Sequence, residues 1–92
     1  MSLRLNVTTA SGESASWQPA GETILQLQGV AGAEAQVRVQ VHADAPWVTI
    51  ATLRAVPAQP ELCFVRLPKL PNLKVVVAKN TADQALKVWD SE

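Results

Sequence analysis

The chain has 92 residues, 48% hydrophobic and 17% charged, and its eight basic and eight acidic side chains cancel to a net charge of zero. That length supports one core and one domain, residues 1–92, and the composition excludes disorder as the dominant state. Without a basic field there is nothing to attract nucleic acid or an anionic membrane, and no run approaches the roughly 20 apolar residues of a membrane helix.

Taken in order, the apolar residues recur at period two. Leu3, Leu5 and Val7 alternate with Arg4, Asn6 and Thr8, which predicts a short first strand. A polar loop around Gly12 follows, then a brief strand over 15–18 halted by Pro19. Leu25 and Leu27 against Gln26 and Gln28 predict a strand over 23–28 that ends at Gly29. The segment 32–41 contains good helix formers. Its β-branched Val37, Val39 and Val41 nevertheless recur every second residue, so strand is the expectation there too.

Two runs, 36–43 and 47–53, form the expected organising hairpin across Asp44-Ala45-Pro46, with Val37, Val39, Val41 and Ala43 on its buried face. Pro57 and Pro60 then mark a connection, from one sheet to another or from one end to another, rather than a strand. Further strands are predicted over 62–67, ended by Pro68, and over 73–78, where consecutive valines suggest cover on both faces. The chain closes with a turn at 80–83, or one helical turn capped by Thr81, and a strand over 85–89. About eight short strands at such spacing, with little or no helix, predict an antiparallel β-sandwich of jelly-roll-like form.

Residues with chemistry are sparse. His42 and Asp44 stand two apart, but two candidate ligands without a third make no metal site, and the plainer expectation is a strand end entering a turn. Ser11, Ser14 and Ser16 lack a nucleophile elbow, and Gly29 and Gly32 open no helix that would cradle a phosphate. The single cysteine, Cys63, excludes an internal disulfide and reads as a small buried hydrophobe; with the leaderless residues 1–6 it points to assembly in a reducing cytoplasm. The chain is therefore expected to be no enzyme and to use no cofactor.

What remains is surface for association. Trp17, Trp47 and Trp89, with one phenylalanine and no tyrosine, supply most of the aromatic area. All three are candidate contacts, although for Trp47, which opens a strand after a turn, a place in the core is the favoured expectation. Arg38 and Arg66 alternate out of apolar runs and join them as candidate interaction residues. An alternative use of the tryptophans is a glycan- or peptide-binding face.

One pattern is familiar. Residues 35–50, AQVRVQVHADAPWVTI, followed by Leu67-Pro68 and by Leu73-Lys74-Val75-Val76-Val77, resemble small β-sandwich structural proteins of tailed bacteriophages, and the likeness continues weakly through 80–89. In place of the glycine-rich turn expected between the central strands, this chain has Asp44-Ala45-Pro46. The resemblance implies a virion role: a capsid decoration or cement protein, a head fibre or a tail-associated module. It further implies partners such as the major capsid protein, self-association into oligomers, and termini that add strands to neighbours.

Overall fold

A computed structural model describes residues 2–92, and its strands form where the sequence alternates. They are β1 (Ser2–Val7), β2 (Thr23–Gln28), β3 (Glu34–Val39), β4 (Val48–Arg54), β5 (Phe64–Leu67), β6 (Leu73–Lys79) and β7 (Leu86–Asp90), with one helical turn of 3₁₀ type at Pro60–Cys63. One sheet has the order β1-β7-β2-β5 and the other β4-β3-β6, and every pairing is antiparallel. The period of two turns Leu5, Leu25, Leu27, Leu67, Leu86 and Val88 of the first sheet toward Ala35, Val37, Leu53, Leu73, Val75 and Val77 of the second. Their burial is the main driving force for folding.

The brief strand expected over 15–18 is instead an irregular strap. Isolated bridges join Glu13 to Val76 and Trp17 to Leu73, so four steps on the strap face three on β6 and the extra residue breaks the ladder. Ser14 mends the gap: its backbone N–H donates to Val75 O at 2.8 Å, and its Oγ accepts from Val75 N–H at 2.9 Å. Counting the strap as a fourth member of the second layer gives eight segments in two layers of four, joined as a jelly roll. Ser14→Ala would leave a buried N–H without a partner, so urea denaturation should show a loss of about 1–3 kcal/mol.

Several expected boundaries move. β3 ends at Val39: the Gln40 N–H still follows the β6 register, donating to Asn72 O at 3.1 Å, but its side-chain amide donates to Ala45 O at 2.8 Å and closes a loop there. The hairpin is therefore closed by the long loop 40–47, and Val41 is 72% exposed rather than buried, with Ala43 also exposed. Leu62 and Cys63 belong to the helical turn, so β5 starts at Phe64. β6 is covered on one face only: Leu73, Val75 and Val77 are buried, Val76 half-buried. The closing turn over 81–84 holds Asp83 at φ 67°, an angle that aspartate tolerates, and not a helix. Between β2 and β3 a tight turn is closed by Ala33 N–H to Val30 O at 3.0 Å, with Gly32 at φ 89° in the position that favours glycine.

The termini are not loose arms. β7 lies inside its sheet between β1 and β2, and the buried carboxylate of Asp90 binds the Arg4 guanidinium, Ser2 N–H (3.2 Å) and Glu92 N–H (3.1 Å). Among the described residues no helix is long and apolar enough to cross a membrane.

Candidate interaction surfaces

The three tryptophans do not meet. Trp17 ends the strap and packs against the core, with the Arg4 guanidinium 4.7 Å from its ring centroid. Trp47 is not a core residue, contrary to expectation. It precedes β4 in the 40–47 loop, half-buried, with the Lys74 ammonium 4.6 Å over its ring on the outer side of the β4-β3-β6 sheet. Arg38 shares that side: it sits opposite Lys74 and Thr49 in the register and donates to Gln36 Oε1 at 2.9 Å. Lys74 in turn reaches Glu13 at 3.5 Å, so several polar groups of this face are paired, while Arg38 Nε is buried without a hydrogen-bond partner.

Trp89 lies on the outer face of the other sheet. There the registers align Leu3, Trp89, Gln26 and Phe64 in one row across all four strands. Leu3 and Phe64 are exposed, as is Ile24 in the next row beside Arg66. Arg66 is held at the surface by Glu22, at 2.5 Å and 2.7 Å. At one end of this row the connection after β4 rises beside β2 and leaves an open groove of about 560 Å³, floored by Gln26, Gln28 and Trp89 and walled by Val56, Pro57 and Pro60. Trp89 Nε1–H donates to Gln28 Oε1 at 3.1 Å, which fixes the indole ring. Cys63 also borders the groove; it is half-buried rather than buried, and its thiol donates to Pro60 O at 2.8 Å.

A third surface is the edge of β4. The strand ends its sheet, so one side of its backbone has no strand partner in the described chain. Ala55 N–H binds Ala33 O, and the alternation from there turns the backbone groups of Thr52 and Arg54 outward. Val48 and Ile50 are exposed along this edge, and Val41 is exposed in the loop that precedes it. Ile50 occupies a bulge, since Val37 faces Ala51 while Arg38 faces Thr49. The sequence places these residues in the second strand of the expected hairpin and says nothing of whether that strand is an edge. Only the sheet order shows that β4 is an edge.

His42 Nδ1 and Asp44 Oδ2 stand 3.8 Å apart, both well exposed, and Asp44 N–H donates to His42 Nδ1 at 3.2 Å, the geometry of a turn. Among the described residues no group of three or more His, Cys, Asp or Glu side chains is placed to hold a metal. The fold and these surfaces define a small all-β sandwich with uncovered apolar area. In comparison with known proteins, no family model, curated protein or solved structure matches the chain.

Proposed function

We propose that the protein is a non-enzymatic structural subunit of a tailed-bacteriophage virion, a decoration or cement protein that docks on the capsid shell. The class of assembly comes from the resemblance of residues 35–50 and 67–77. The observation that carries the docking mode is the open edge of β4. Of the remaining sheet edges, β6 is covered by the strap, β5 has only four residues and carries Arg66, and β1 exposes a single large apolar side chain, Leu3. β4 has seven residues, no proline and no charge before Arg54, and it exposes Val48 and Ile50.

Soluble monomers usually blunt such an edge with lysine, proline, shortness or a bulge, because it is a template for strand addition, and of these β4 has only the bulge at Ile50. In this reading the edge and Val41 are covered by the major capsid protein, another virion protein or a second copy of the chain. Repeated docking on a symmetric shell adds stability that a small core does not supply alone, since binding to the native state alone shifts folding by mass action. Assembly takes place in the host cytoplasm.

The test is cosedimentation of the purified protein with tailed-phage shells that lack it, alongside light scattering of the free protein. Saturable binding at a fixed ratio to shell subunits is expected. A monodisperse monomer that stays in the supernatant would remove the reading.

A further inference from the structure

We propose that the groove beside Trp89 is a subsite for a neutral saccharide. The inference stands apart from the virion reading and rests on the chemistry of the groove. A sugar ring offers an apolar face of C–H groups and a rim of hydroxyls, so its site needs a flat, fixed aromatic surface beside groups that both donate and accept. Trp89 supplies the surface, and its bond to Gln28 Oε1 favours one ring orientation, which lowers the ordering cost of a ligand. Gln26 stands directly opposite Trp89 on β2, and its carboxamide has no hydrogen-bond partner among the described residues. The Gln28 amide nitrogen is likewise unengaged there, so two carboxamides flank one ring.

The groove selects by what it lacks as well. None of the residues that line it carries a formal charge, so a phosphate, a carboxylate or an acidic sugar entering it gains no ion pair against its loss of hydration. A proline-rich peptide, the other ligand for an aromatic groove, is matched less well: peptide grooves of that kind are lined by several aromatic rings, and this one has a single ring with prolines already forming the wall. Its volume, about 560 Å³, lies within the range of small-ligand sites.

The experiment follows the Trp89 indole and the Gln26 and Gln28 side-chain amide resonances by ¹H–¹⁵N NMR during titration with three uncharged trisaccharides, maltotriose, cellotriose and N,N′,N″-triacetylchitotriose. At least one is expected to shift them saturably at millimolar concentration, and an acidic trisaccharide, sialyllactose, to bind more weakly than that sugar. Gln26→Ala, a surface change that leaves the core intact, should weaken binding about threefold to tenfold. Trp89→Ala should reduce it below detection, and Trp47→Phe should leave it unchanged. The proposal is overturned if none of the three sugars moves these resonances, if sialyllactose binds equally, if Gln26→Ala has no effect, or if only a proline-rich peptide fills the groove.

Discussion

Arg4→Ala is expected to lower the unfolding free energy by about 3 kcal/mol, because it leaves a buried carboxylate without its counter-charge. The Asp90 side chain is 0% exposed and Arg4 only 27%, so water replaces little of the lost interaction. Asp90 also receives the N–H groups of Ser2 and Glu92, and Arg4 covers the Trp17 ring, so one ion pair ties β1, β7 and the strap together. Urea denaturation followed by circular dichroism measures the effect. Replacing both partners by apolar residues of similar size should recover much of the loss, since desolvation is then no longer opposed. A change below about 1 kcal/mol for Arg4→Ala would place the pair among surface ion pairs of little weight.

The second large effect concerns association rather than folding. Ile50→Lys sets a charge on the β4 edge at a bulge whose side chain already faces solvent, so the isolated fold should stay within about 0.5 kcal/mol of the parent. Binding to shells, or to other copies, should fall by about 2 kcal/mol or more, roughly 30-fold, as for a central residue of an interface. The lysine would act as the guard that edge strands ordinarily carry. Sedimentation with shells and size-exclusion chromatography separate the two quantities. Equal binding by parent and variant would move the contact to another surface.

How far the sequence is legible follows from the physics of each element. β2 is found at 23–28 with the expected inner and outer faces, because Leu25 and Leu27 alternate cleanly with glutamines and turn residues bound the run. The sandwich class is readable for the same reason. The run 36–43 misleads: its alternation continues through Val41 and Ala43, yet the Gln40 side chain closes the loop on Ala43 O and Ala45 O and takes the chain out of the ladder. Periodicity records which face would be buried if a strand continued; it does not record a competing side-chain bond.

The strap illustrates a different limit. Ser14 pairs with Val75, 61 residues away, and a hydroxyl replacing a backbone partner leaves no local pattern. The surfaces were legible as residue types and not as places. Trp89 and Arg66 share one sheet face, Trp47 and Arg38 the opposite one, and Trp17 lies at the strap, so five candidates that look alike in sequence serve three different surroundings. The groove draws on residues 26–31, 55–63 and 89, which only the crossing of the chain between sheets brings together. Edge position is likewise a property of strand order, and strand order has no signature within β4 itself.

The docking claim is tested most directly by hydrogen exchange on the protein alone and bound to tailed-phage shells. Docking by strand addition predicts that the outward amides of β4, Thr52 and Arg54 among them, become strongly protected on binding, together with the loop that carries Val41, while the outer face around Trp89 exchanges as before. Exchange along β4 that is the same in the bound and free protein would contradict it.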